Sequence, residues 1–288
     1  MIPAFELNIP ASVTALAIAV GLLVTSAKAD GISAVRVLSI GGSVTEIIYA
    51  LGEQDRLIAR DTTSSYPAEA KNLPDVGYMR ALSPEGILSV DPQLIIAEDG
   101  SGPPETIAVM RAADIPFITV PDGYDRSAVG VKIRAVADAL GVPEKGDALA
   151  AEVDAQLASL NTSVDTPARV MFILSTQGGR IMASGDNTAA DGIIDLAGGI
   201  NAITDFEGYK LLTDEAITAA NPDVIVMMDR GGDHSVGNVD LWANPAISTT
   251  AAAQTQSVVR IDGLLLLGFG PRTPEAALQL HTSLYGDE

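Results

Sequence analysis

Cysteine is absent from the 288 residues. That absence excludes disulfides, thiolate metal sites, iron–sulfur clusters, thiol catalysis and a lipid anchor borne on cysteine. Positive charge is scarce, with 17 Lys and Arg against 37 Asp and Glu, a formal charge of −20. Nucleic acid and anionic membranes are bound by neutralising phosphates with Lys and Arg, so neither is an expected partner. Histidine occurs only at His234 and His281, which leaves little from which to build a hydrolytic triad. His281 sits on an apolar-spaced terminal stretch with Ala277, Leu278 and Leu284 and reads as packing or surface. Apolar side chains, by contrast, make up 47% of the chain, enough to bury a core and exclude disorder. At this length they fit one large or two modest domains.

Charge is also missing from Asn8 to Ala27, whose centre, Ala15 to Val24, is mostly apolar and which closes on Ala27-Lys-Ala29. An apolar run followed by an A-x-A site predicts a secretory signal peptide, residues 1–29, cleaved before Asp30. Only Glu6 is charged ahead of the run, so a retained anchor is the alternative. It is the poorer one, because Pro10, Ser12, Thr14, Gly21, Thr25 and Ser26 dilute a span that needs about 20 apolar residues. With no later span, the expected location is the periplasm.

After Asp30, short β-rich runs alternate with helix-like segments. Val35 to Ile40, Leu57 to Ala59, Leu94 to Ala97 and Phe117 to Val120 form one set, and Arg169 to Leu174, Asp223 to Met228 and Val258 to Ile261 a second. This alternation predicts a parallel α/β fold of two Rossmann-like lobes. Between the sets, Pro143 opens a helix running to about Leu160, with Leu149, Val153, Leu157 and Leu160 on one face. The expected division is a leader over 1–29, lobes over 30–142 and 166–288, and a linking helix within 143–165. An internal echo supports two lobes: Leu82 to Ala97 aligns with Leu212 to Met227 at an offset of 130, with five of sixteen positions identical. Ser83 and Thr213 are matched N-caps, each followed by a helix of about two turns that Pro92 or Pro222 ends before a buried strand. Local reuse of a common α/β unit is the alternative explanation of the echo.

Gly41-Gly-Ser-Val-Thr-Glu46 follows a strand and opens a helix, a place that can hold phosphate, but no Lys follows the glycines. A capping box of Ser43 and Glu46 is the favoured reading. Asp229, Asp233 and His234 share a Gly-rich stretch that reads as a solvated loop before it reads as a metal site. Enzyme chemistry therefore has little support. Asp75-Val-Gly-Tyr-Met-Arg-Ala-Leu-Ser83 is more suggestive, because it falls in a loop outside the carboxyl ends of the strands, where parallel α/β proteins place ligands. Residues two apart in an extended segment face the same side, which brings Arg80 to Tyr78. A cation beside a phenol favours the phenolate, a hard oxygen suited to ferric iron, and tyrosinate is a known axial ligand of haem. An exposed Tyr near an Arg is also ordinary protein surface, and these residues alone leave both readings open.

Several stretches together give the sequence a family likeness. They are Ser39 to Gly52, Arg60-Asp-Thr-Thr-Ser-Ser-Tyr-Pro67, Leu73 to Gly86, Met182 to Ala190, Glu207-Gly-Tyr-Lys210 and Asp262 to Pro274, the last containing Leu-Gly-Phe-Gly-Pro-Arg-Thr. Across nearly all of the mature chain the sequence resembles the haem-binding periplasmic proteins of bacterial ABC haem importers, a class of two α/β lobes joined by one long helix. The resemblance implies ferric haem as a transported ligand, with no other cofactor, and a chain that acts as a monomeric carrier rather than an enzyme. It implies Tyr78 as iron ligand, Arg80 as hydrogen-bond donor to its phenolate, and Arg230 as a cation approaching haem from the facing lobe. His234 stands as an alternative distal ligand, with five-coordinate Tyr78 ligation preferred. Glu85 and Glu215, matched in the internal echo, would lie on the lobe tips and pair with Arg pockets of an inner-membrane permease dimer. Acidic residues in a first helical turn also favour the helix dipole without any partner. A ferric siderophore or cobalamin carrier of the same architecture is the alternative cargo reading, and an exported hydrolase or haem-degrading enzyme a remoter one.

Overall fold

The structure, a computed structural model, describes residues 35–229 and 237–286. The expected leader, Arg230, Asp233 and His234 lie outside the described residues. In the first lobe, four apolar runs too short for helices become β1 (Val37–Ile40), β2 (Leu57–Arg60), β3 (Leu94–Glu98) and β4 (Phe117–Val120). They pair in parallel in the order β2-β1-β3-β4. Helices α1 (Gly42–Ala50), α2 (Pro84–Leu88) and α3 (Pro104–Ala112) lie in the three crossovers that parallel pairing requires, and α4 (Arg126–Leu140) follows β4. Asp125 caps α4 by accepting N–H bonds from Ser127 and Ala128 at 2.8 and 2.9 Å. Pro143, lacking an N–H, then opens α5 (Pro143–Ser159), which packs along α4. The buried face of α5 is Gly146, Ala150, Val153 and Leu157, while Leu149 and Leu160 are only partly covered.

The second sheet is mixed. Strands β5 (Arg169–Ser175), β7 (Ile200–Asn201), β9 (Val224–Asp229) and β10 (Val258–Asp262) pair in parallel. Beyond β5, however, β6 (Met182–Ser184) and β8 (Tyr209–Leu211) continue the sheet antiparallel, in the order β10-β9-β5-β6-β8. Neither three-residue strand is long enough to print an alternating pattern in the sequence. Its helices are α6 (Ala189–Leu196), α7 (Asp214–Ala220), α8 (Asn238–Ala243), α9 (Ala251–Thr255), α10 (Gly263–Leu267) and α11 (Thr273–Tyr285).

The internal echo is structural as well. The Ser83 hydroxyl accepts the Gly86 N–H at 3.0 Å and the Thr213 hydroxyl accepts the Ala216 N–H at 3.2 Å. Asp91 and Asn221, each directly before the proline, take positive φ of 49° and 39°. Buried β3 and β9 follow at the same offset. The first of the paired helices is shorter than expected: α2 has five residues and α7 has seven.

One hydrophobic core runs through both lobes. Ile47, Val136 and Val153 belong to it from the first half of the chain and Phe172, Ile193 and Leu280 from the second, all with 2% exposure or less. Smaller clusters line the other face of each sheet, around Ile95 and Met110 in one and Ile225 and Leu241 in the other. Among the described residues no helix is long and apolar enough to cross a membrane.

Candidate functional site

Tyr78 stands on an irregular loop whose backbone is tied to the carboxyl end of β2. The Arg60 N–H donates to the Pro74 carbonyl, the Val76 N–H to the Arg60 carbonyl, and the Thr62 N–H to the Gly77 carbonyl, all at 3.0 Å. Asp75 braces the same segment, accepting bonds from the Arg60 guanidinium at 2.7 Å, the Thr62 hydroxyl at 3.1 Å and the Gly77 N–H at 2.8 Å. Val76, Met79 and Leu82 point into the core, which leaves Tyr78 and Arg80 outside. Tyr78 keeps 43% of its surface open to solvent.

The Arg80 guanidinium donates to the Tyr78 phenol oxygen at 3.0 Å. A turn makes this pair, not the extended alternation expected from the sequence, since the Ala81 N–H donates to the Tyr78 carbonyl at 2.8 Å. The pKa of Arg80 moves upward. Burial works against its charge, but the hydrogen bond to Tyr78 and the charges of Tyr78, Tyr124 and Glu98 outweigh that. Arg80 also lies within electrostatic reach of Tyr209 in the second lobe. Burial raises the Tyr209 phenol, while hydrogen bonding with Thr188, Ala190 and Ser184 and the charge of Arg80 oppose the rise.

Beneath this surface lies a polar network that sequence reasoning missed. Lys132, fully buried on α4, donates to Glu98 and Asp122 at 2.7 Å each and to the Gly268 carbonyl at 3.2 Å. Asp122 also accepts the Tyr124 hydroxyl at 2.8 Å, and burial together with this carboxylate raises the Tyr124 phenol. Two carboxylates share one ammonium, and the pKa of Glu98 rises: burial pushes it up, Lys132 opposes, and the charge of Asp122 adds to the rise. The sequence held one signal for this. Lys132 sits among the core residues Val129, Ile133 and Val136 of α4, where a solvated lysine does not belong.

The capping box at Ser43 and Glu46 does not form. Helix α1 starts at Gly42 with Gly41 as N-cap and no side-chain cap. The Ser43 hydroxyl instead donates to Glu98 at 2.9 Å, and Glu46 pairs with Arg272 at 2.8 Å. A side chain takes the place of phosphate at this turn. The buried Asp61 carboxylate accepts the Gly41 N–H at 3.0 Å along with the Thr63 and Ser64 hydroxyls at 2.7 Å each.

Glu85 and Glu215 are both exposed in the first turns of α2 and α7. The carboxyl of Glu215 is held below its ordinary range by its own backbone N–H and the Thr213 hydroxyl, a local cap of the dipole kind. His281 is half-buried, with Nδ1 3.0 Å from the Ala197 carbonyl oxygen and its ring against Tyr285, in keeping with a packing role. Among the described residues no group of His, Asp and Glu is arranged to hold a metal. A separate groove of about 630 Å³ opens between Tyr124–Arg126 and the α6–β7 region. Its carboxylates Asp125, Asp191 and Asp195 make it a poor seat for an anionic ligand, and it does not include Tyr78 or Arg80.

Two α/β lobes on a shared core, with a phenol–guanidinium pair at the strand ends, have the form of a solute-binding protein. Residues 37–264 match the family described as periplasmic binding protein, and the chain belongs to that family. The structure is similar to the periplasmic heme-binding protein BhuT in complex with two hemes, with TM-score 0.81 and 41% identity over 87% of this chain and 97% of that one. It is also similar to the periplasmic heme-binding protein RhuT from Roseiflexus sp. RS-1 in apo form, with TM-score 0.83 and 40% identity over 88% and 98%. In sequence it is 30% identical to an uncharacterized ABC transporter substrate-binding lipoprotein, YvrC of Bacillus subtilis (strain 168), over 88% of this chain and 80% of that one. The vitamin B12-binding protein of Vibrio cholerae serotype O1 (strain M66-2) is 28% identical over 86% and 88%.

Proposed function

We propose that this protein is the haem carrier of an ABC importer. It captures ferric haem in the periplasm as cargo, holds it where the lobes meet, and hands it to an inner-membrane permease dimer. The frame of the proposal is a cleaved leader over 1–29 and lobes over 30–142 and 166–288 about the linking segment 143–165. Sheets drawn from 37–120 and 169–262 support that division.

The observation that carries the reading is the exposed Tyr78 phenol with an Arg80 N–H at 3.0 Å, in a chain 40–41% identical to two periplasmic heme-binding proteins. Tyr78 takes the iron through its phenolate oxygen. Arg80 stabilises the phenolate charge and offsets locally the −20 of the body, which repels a dianionic porphyrin edge. Arg230 approaches haem from the facing lobe, and His234 is the alternative distal ligand to five-coordinate Tyr78 ligation. The chain acts as a monomer, and no bond is made or broken in the cargo. Glu85 and Glu215 dock the lobe tips on the permease, which then releases the ligand by acting on the seam between the lobes.

The cobalamin reading has the vitamin B12-binding relatives in its favour. It leaves the Tyr78–Arg80 pair without a purpose, since a pre-chelated metal needs no phenolate from the protein. Calorimetric titration of the mature chain with ferric haem and with cyanocobalamin separates the two. Haem is expected to bind at least about a hundredfold more tightly, about 2.7 kcal/mol, and the opposite order rejects the haem reading. Glu85→Ala with Glu215→Ala is expected to leave haem binding intact and to slow transport in a reconstituted system, and undiminished transport removes the docking role.

A further inference from the structure

The sequence motif Leu-Gly-Phe-Gly-Pro-Arg-Thr, residues 267–273, belongs to the second lobe, yet both of its ends grip the first. At one end, Arg272 donates to Glu46 of α1 through its side chain at 2.8 Å and its backbone N–H at 3.2 Å. The same guanidinium lies over the Tyr66 ring, 3.5 Å from its centroid, so it is gripped by charge and by an aromatic face at once. At the other end, the Gly268 carbonyl accepts from the buried Lys132 ammonium, which Glu98 and Asp122 hold in place.

Phe269 sits between these anchors, 2% exposed and edge-on to Tyr124 of the first lobe, with ring centroids 5.6 Å apart. Its φ of 47° is a strained value for an aromatic residue, and it persists only where surrounding contacts over-determine it. The seam is tight in its backbone too: a Cβ on Gly192 of α6 would stand 2.0 Å from the Tyr124 carbonyl oxygen. Spreading the lobes strips Glu46, 6% exposed at its side chain, of its cation and removes an acceptor from a lysine that no water reaches. The first loss is unfavourable because it leaves a buried carboxylate without its cation, and the second leaves Lys132 with Glu98 and Asp122 alone.

We propose that the 268–272 loop is a clasp: Arg272 on Glu46 and the Gly268 carbonyl on Lys132 hold the lobes at one opening and thereby set how fast bound haem leaves. The release part rests on the haem-carrier reading; the geometric part does not. Arg272 is thus a positioning residue that acts on the ligand through the lobe angle.

The absence of native cysteine allows a direct test. Spin labels on Leu88→Cys and Ala219→Cys, both exposed, report the distance between the lobes in the ligand-free mature chain. One narrow distance distribution is expected, and Arg272→Gln is expected to broaden it. The same variant is expected to pass ferric haem to apomyoglobin about tenfold faster while the visible spectrum of the bound haem stays unchanged. An unchanged distribution overturns the clasp, and a broadened distribution with an unchanged transfer rate overturns its control of release. If Arg272→Gln does not fold, Arg272→Lys keeps the charge but loses the planar guanidinium stacked on Tyr66, and the same outcomes decide. Should the starting chain take up no haem, the carrier reading fails by itself and the distance distributions still decide the clasp.

Discussion

Tyr78 and Tyr209 occupy matching places in the two lobes. Tyr78 precedes the Ser83 cap by five residues and Tyr209 precedes the Thr213 cap by four, and each follows a glycine in the left-handed region, Gly77 at φ 100° and Gly208 at φ 79°. Their surroundings are opposite. Tyr78 lies on an open loop with a guanidinium at 3.0 Å, whereas Tyr209 lies on β8 with its ring edge-on to Phe172 at 6.3 Å and its pKa raised by burial. The same local grammar therefore yields an exposed phenol in one lobe and a packed one in the other. What differs is the neighbourhood: an exposed loop beside a guanidinium in one lobe, a packed strand in the other.

The largest effect expected along this comparison is at Lys132, because Glu98 and Tyr124, both tied into its network, act in turn on Arg80, and Arg80 acts on Tyr209. Lys132→Met leaves two carboxylates without their shared cation, and urea denaturation should show a loss of about 3–5 kcal/mol. A loss below about 1 kcal/mol would mean the buried network is not what holds the floor of the site. Next is Tyr209→Phe, which removes a hydroxyl while keeping the packed ring. Ferric haem affinity should change by less than about threefold, under about 0.7 kcal/mol, and a fall as large as that of Tyr78→Phe would erase the distinction between the two tyrosines. A further pair of variants concerns what the lobes share. Ser83→Ala and Thr213→Ala should each cost roughly 1 kcal/mol in the same urea experiment, and a clear inequality would show that only one of the matched caps is under load.

How far the sequence alone reaches follows the range of the contacts. The alternation of strands and helices, the caps at Ser83 and Thr213 and the helix from Pro143 depend on neighbours a few residues away, and all are present in the structure. The Tyr78–Arg80 pair was legible for the same reason, although a turn rather than an extended strand makes it. The capping box failed because Glu46 is claimed by Arg272, 226 residues later, and no local pattern records so distant a partner. Tyr209 went unread because its role depends on the antiparallel β6–β8 pair, whose three-residue strands carry too little pattern. The clasp loop was visible as a motif, but its work is done entirely on residues of the other lobe.

The most direct test of the account is a titration of the mature protein with ferric haem, followed by its visible spectrum, beside the Tyr78→Phe variant. Saturable binding is expected, with a high-spin phenolate charge-transfer band that disappears in the variant, together with an affinity loss of at least about a hundredfold. An identical spectrum and affinity in the two proteins would contradict it and remove Tyr78 from the iron.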